Sequence, residues 1–108
     1  MQANEYQQFV SRTMNKGLLG REAISNYCMG LAGEVGEVVE PLKKFLYHGK
    51  TVDYAEVKKE LGDVCWYVAA LANELGIELN DVLEQNVEKL QKRYPDGFKP
   101  QQPLPEWT

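Results

Sequence analysis

Apolar residues recur along this chain at intervals of three and four and nowhere alternate over a sustained run, which is the periodicity of helices rather than strands. Tyr6, Phe9, Val10, Thr13 and Met14 predict a first helix from Asn4 to about Lys16, with Gly17 and Gly20 bracketing a break. Ile24, Tyr27, Leu31, Val35, Val38, Leu42 and Phe45 predict a second, starting near Arg21 or Glu22 and stopped by His48-Gly49-Lys50. Pro41 lies inside it and is expected to kink or divide it. Asp53 reads as an N-cap, with Glu56 in the reciprocal position of a capping box. The third helix then carries Val57, Leu61, Val64, Val68, Leu71 and Leu75, and Gly76 closes it. Asn80 or Asp81 is expected to cap a fourth, holding Val82, Leu83, Val87 and Leu90 and ending near Tyr94-Pro95. Pro95, Pro100, Pro103 and Pro105 exclude helix beyond that point and predict an extended arm. The expected fold class is all-α.

At 108 residues the chain makes one domain, 44% hydrophobic and 26% charged, with a modest core that burial between subunits would extend. A net charge of -4 without a basic stripe argues against binding to a nucleic-acid polymer. Small phosphorylated ligands stay open, because a metal can carry their charge. Cys28 and Cys65, flanked by apolar or aromatic neighbours, read as reduced core thiols and fit a cytoplasmic protein. No charged stretch followed by an apolar one opens the sequence and no run of about 18 apolar residues occurs, so neither secretion nor membrane spanning is expected. His48 reads as a surface or capping residue. Trp66 and Phe9 are expected in the core, and Trp107 against a partner subunit.

The chemistry lies in two acidic pairs, Glu34-x-x-Glu37 and Glu60-x-x-Asp63. Residues three apart on a helix share a face, so each pair aims two carboxylates one way, beside its apolar stripe. Brought together, these acids repel and lose hydration unless a cation sits among them. An all-oxygen donor set suits Mg²⁺, with Mn²⁺ as the alternative. A lone E-x-x-E is usually a solvated face, but three details shift the balance. Gly30, Gly33, Gly36 and Gly62 lie in the same helices, where each costs about 1 kcal/mol relative to alanine. They imply close approach by another helix or a ligand. Tyr67 continues the stripe of Glu60 and Asp63 by one turn. Lys59, next to Glu60 in sequence, is expected to point elsewhere.

Taken in order, Gly33-Glu34-Val35-Gly36-Glu37, Glu60-Leu61-Gly62-Asp63-Val64 and Asn86-x-x-Lys89-Leu90-x-x-Arg93-Tyr94-Pro95 resemble the MazG-like nucleoside triphosphate pyrophosphohydrolases, from about Tyr6 to Phe98. The resemblance implies a four-to-five-helix all-α bundle completed by oligomerisation, as a homodimer or homotetramer, over residues 1–98. Residues 99–108 are left as the extended tail. It further implies hydrolysis of a (deoxy)nucleoside triphosphate between the α and β phosphates, in housecleaning of the nucleotide pool. Glu34, Glu37, Glu60 and Asp63 would be the catalytic Mg²⁺ ligands, and Tyr67, Asn86, Lys89 and Arg93 would bind substrate. Pro41 departs from the family's uninterrupted helix. Lys43 and Lys44 stand where some relatives carry a base-stacking aromatic, so base selectivity stays open.

A triphosphate brings about four negative charges towards these acids, so the two cannot meet without metal. A water held at the site would attack the α-phosphorus, with one of the four acids, Glu56 or Glu40 as general base. Lys89 and Arg93 would reach phosphate oxygens, or else complement the helix dipole. The competing readings are hydrolysis of a related nucleotide such as dUTP or phosphoribosyl-ATP, and a non-catalytic helical oligomer that binds metal or nucleotide.

Overall fold

A computed structural model describes residues 1–100 of the chain. It holds four helices: α1 (Ala3–Ser11), α2 (Gly20–Tyr47), α3 (Tyr54–Leu75) and α4 (Leu79–Arg93). No strand forms among the described residues, where the only bridge is an isolated one between Pro95 and Gly97. The all-α expectation holds. The tail expected from 99 onward lies outside the described residues from 101 on, and with it Pro103, Pro105 and Trp107.

The first helix is shorter than its apolar spacing predicts. The Thr13 hydroxyl donates to the Val10 carbonyl at 2.8 Å, and the Asn15 side chain accepts from the Gly17 amide at 2.9 Å. Such short polar side chains offer the backbone an alternative to helix, and α1 stops at Ser11. α2 is unbroken across Pro41, so the proline neither divides nor ends it. The missing N–H does leave the carbonyl of Glu37, four residues back, without its helical donor. His48 is the C-cap of α2. Asp53 caps α3 as expected, its carboxylate accepting from the Glu56 amide at 3.1 Å, and Gly76 ends that helix in the left-handed conformation.

α2 and α3 form an antiparallel pair. The Gly20 amide at the start of α2 donates to Glu74 near the end of α3, at 2.8 Å. Ala23, Ala69 and Ala70 are fully buried between the helices, with Tyr27 and Val10 beside them. Small side chains let the two backbones come close, and Tyr27 fills the remaining space with its ring edge-on to Trp66 at 5.9 Å. Burying a side chain of Val size contributes about 1.5–3 kcal/mol. The core therefore occupies one end of the hairpin, towards the start of α2 and the end of α3. The acidic residues lie at the other end, towards the α2–α3 connection.

α1 crosses the core end of the pair. Asn73 donates to the Gln7 carbonyl at 3.1 Å, and the Trp66 indole donates to Thr13 at 2.7 Å. α4 packs chiefly on α1 and starts two residues earlier than its own sequence predicts. Glu78 occupies the N-cap position without a side-chain cap. The caps come from α1 instead: Gln7 Oε1 accepts from the Leu79 amide at 2.6 Å, and Asn4 Oδ1 from the Asn80 amide at 3.0 Å. Gln7 also donates to the Ile77 carbonyl at 2.7 Å, which uses both ends of a buried amide.

Two core expectations are corrected, and a third holds in part. Cys28 and Cys65 are free thiols, but both are exposed, because they face away from the α2–α3 seam. Phe9 is 60% exposed on the outer side of α1. Trp66 is half-buried at the edge of the core, where its N–H finds the Thr13 hydroxyl.

Candidate metal centre

One turn of α2 and two turns of α3 bring three carboxylates together. Glu34, Glu60 and Asp63 each offer an oxygen, and the three lie within 4.8 Å of one another. The α-helical rise puts Glu60 and Asp63 on one face, and the antiparallel pairing sets Glu34 opposite them. Glu60 is 6% exposed, and Oε2 of Glu34 is buried with no hydrogen-bond partner among the described residues. Burial pushes the Glu60 carboxyl up to about 7. Shared hydrogen bonding with Glu34 and Glu56, and the charge of Glu34, add to that, while Lys59 opposes it. Lys59 does not point away as its sequence position suggests: its flexible stem returns the ammonium to 3.8 Å from Glu60. That side chain is 67% exposed, so solvent screens the contact and it cannot neutralise three acids.

A buried carboxylate oxygen without a partner is costly. Two or three carboxylates with one elevated pKa mark a site short of positive charge. The oxygen-only donor set fits a hard divalent cation. Glu34, Glu60 and Asp63 would hold it.

Glu37 is not in the converging group. It is exposed, one turn along α2, and lines a neighbouring groove of about 530 Å³ with Glu40, Pro41, Lys44, Lys50, Thr51, Asp53 and Glu56. Glu56 joins the two features, since it lines the groove and stands one helical turn before Glu60 on α3. Its role as the capped first-turn residue of α3 and its place at the site are thus compatible. The capping motif alone pointed only to the former.

Tyr67 lies a turn beyond Asp63, half-buried against Trp66 at 5.0 Å between ring centroids. It closes an open groove of about 750 Å³ with Arg21, Glu22, Ser25, Asn26, Met29 and Gly30. Gly30 has a steric reason to be glycine: a Cβ there would stand 2.1 Å from the Tyr67 ring. Gly33, Gly36 and Gly62 have nothing within 4 Å of such a Cβ, so among the described residues no close approach accounts for them. Asn86, Lys89 and Arg93 lie on α4, which packs on α1, and none of them lines either groove. The guanidinium of Arg93 stacks over the Tyr94 ring at 5.5 Å.

Residues 22–98 match the MazG nucleotide pyrophosphohydrolase domain, and the chain belongs to that family. It is also similar to the Gene 37 protein of Mycobacterium phage L5, at 44% identity over 80 residues, covering 70% of each chain. No solved structure matches it. The family's enzymes depend on a metal and act on nucleotides, and the carboxylate cluster provides a place for that metal. No helix among the described residues is long and apolar enough to cross a membrane.

Proposed function

We propose that this protein is a Mg²⁺-dependent nucleoside triphosphate pyrophosphohydrolase, converting a (deoxy)nucleoside triphosphate to the monophosphate and pyrophosphate. Residues 1–98 form the functional unit, working as a cytoplasmic homodimer or homotetramer that clears surplus nucleotides. The observation that carries this reading is the meeting of Glu34, Glu60 and Asp63 within 4.8 Å, with one oxygen buried and unpartnered. A divalent cation held there supplies charge neutralisation for the phosphates and for the transition state.

The chain's own residues do the rest. Glu34, Glu60 and Asp63 orient the charged end of the substrate. A carboxylate of the cluster takes the proton of the attacking water, on the face of the α-phosphorus opposite the departing pyrophosphate. The water oxygen bonds to the α-phosphorus, the bond from that phosphorus to the α–β bridging oxygen breaks, and pyrophosphate leaves with the electron pair. Tyr67 and the groove beside it offer an aromatic edge to the nucleoside.

Oligomerisation is supported by how little of the molecule one chain buries. The accessible surface is 8319 Å², against roughly 6100 Å² for a compact monomer of this mass. Its radius of gyration is 17.1 Å, against about 13 Å for a compact domain of this length. Val35 and Val39 on α2, Leu61 on α3, and Val82, Leu83, Val87 and Leu90 on α4 are all exposed.

The test is a panel of ribo- and deoxynucleoside triphosphates, including dUTP, assayed with Mg²⁺ and after chelation. Stoichiometric monophosphate and pyrophosphate are expected, with turnover abolished by chelator. Release of orthophosphate, or no turnover across the panel, overturns the reading.

A further inference from the structure

The groove next to the carboxylates has two lysines on its wall that the metal centre does not use, and we infer that Lys44 and Lys50 form a subsite for the β and γ phosphates of the substrate and hence for the departing pyrophosphate. The assignment rests on the pyrophosphohydrolase reading above and deepens it. The local sequence builds the arrangement. Lys44 stands in the last turn of α2, and Gly49 takes φ +67°, a conformation that costs an L side chain but not glycine. The chain reverses there, so that the Lys50 amide donates to the Lys44 carbonyl at 3.3 Å. Both side chains then line the groove of about 530 Å³ whose other residues include Glu37 and Glu56. Glu37 and Glu56 stand one helical turn from Glu34 and Glu60 on their own helices, so the groove adjoins the metal centre.

Glu37, Glu40, Asp53 and Glu56 line the same groove, yet neither lysine approaches a carboxylate closely enough to pair. The ion pairs Lys59–Glu60 and Lys99–Asp96 involve neither of them. Neither ammonium group is held in a close ion pair, so both can turn to a ligand. Oxygen donors for a cation at one end and two such ammonium groups along the wall match a polyphosphate with its cation at one end. A lysine serves such a ligand as a mobile point charge. In α–β cleavage the negative charge builds on the bridging oxygen and the pyrophosphate beyond it, where fixed positive charge favours the transition state over the ground state.

The experiment is calorimetric titration of magnesium pyrophosphate, and of Mg²⁺ alone, into the parent protein and Lys44→Ala, Lys50→Ala and Lys50→Arg, with circular dichroism as the check on folding. Both lysines are exposed, so the fold should survive. Each alanine variant is expected to weaken pyrophosphate binding roughly tenfold or more, the scale of one charged hydrogen bond. Mg²⁺ binding should be unchanged or tighter, because a repelling charge has gone, and Lys50→Arg should keep most of the pyrophosphate affinity. If folded alanine variants bind pyrophosphate as the parent does, the subsite is wrong. It is equally wrong if pyrophosphate and Mg²⁺ affinity fall together, which marks a structural role. Lysine-dependent pyrophosphate binding by a parent that hydrolyses no nucleotide would keep the subsite and sink the enzymatic reading. Pyrophosphate-releasing turnover with lysine-independent binding would do the reverse.

Discussion

Glu60 carries a conflict that only binding resolves. It is the most buried acid in the cluster, and its carboxyl is held at about 7 against an ordinary 4.5. Between those values the folded protein binds more protons than the unfolded chain. Without metal, stability is therefore fully present below about pH 4.5 and is lost as pH rises through 7. Because a cation must displace that proton, Mg²⁺ binding moves the opposite way and strengthens as pH rises through the same range. Thermal melts from pH 5 to 8, with Mg²⁺ and with chelator, should diverge as pH increases. Glu60→Gln should abolish the divergence and melt higher than the parent in chelator at pH 8, while turnover falls by at least two orders of magnitude, about 2.7 kcal/mol of barrier. Curves that stay parallel across this range would remove Glu60 from the metal centre.

Between elements, the weakest joint is the one that holds α4. That helix is attached through Leu79 and through side chains borrowed from α1, above all Gln7, which spans Ile77 and Leu79 at 2.7 and 2.6 Å. Gln7→Ala leaves a buried amide and a buried carbonyl without partners, and a loss of about 2–3 kcal/mol is expected in denaturant unfolding. Hydrogen exchange should locate the loss, with α4 amides losing protection well before those of the α2–α3 pair. Equal loss across all four helices would show that α4 is not a separately attached element. The same joint explains why α4 starts ahead of Asn80 and Asp81. Asn80 and Asp81 are good caps by residue type, but the donors at that end were already taken by side chains more than seventy residues earlier in the chain.

For the molecule as a whole, the exposed stripes on α2 and α4 should determine its assembly. Val39 and Val87 are 54% and 51% exposed, and a charge placed in a buried apolar interface is strongly unfavourable. Val39→Glu and Val87→Glu are each expected to shift sedimentation from a dimer or larger species to a monomer. Turnover should fall with the assembly, since Lys89 and Arg93 of α4 line neither groove beside the carboxylates of their own chain. Unchanged sedimentation of both variants would mean that these stripes are not the interface.

Much of this was decided along the chain itself. Apolar spacing set four helices and no strand, since period and handedness are local properties of the backbone. The i, i+3 spacing put Glu60 and Asp63 on one face, and Asp53 and Gly76 marked the two ends of α3 by their own backbone preferences. Three further features needed the tertiary structure, because each depends on which faces meet. Glu34 but not Glu37 converges with the α3 acids, because which turn of α2 meets them depends on how the two helices pack. Lys59 turns back towards Glu60, which its rotamer decides and spacing does not. Cys28 and Phe9 lie outside because one chain buries only part of its apolar surface, and the seam between α2 and α3 is narrow, closed by alanines around Tyr27.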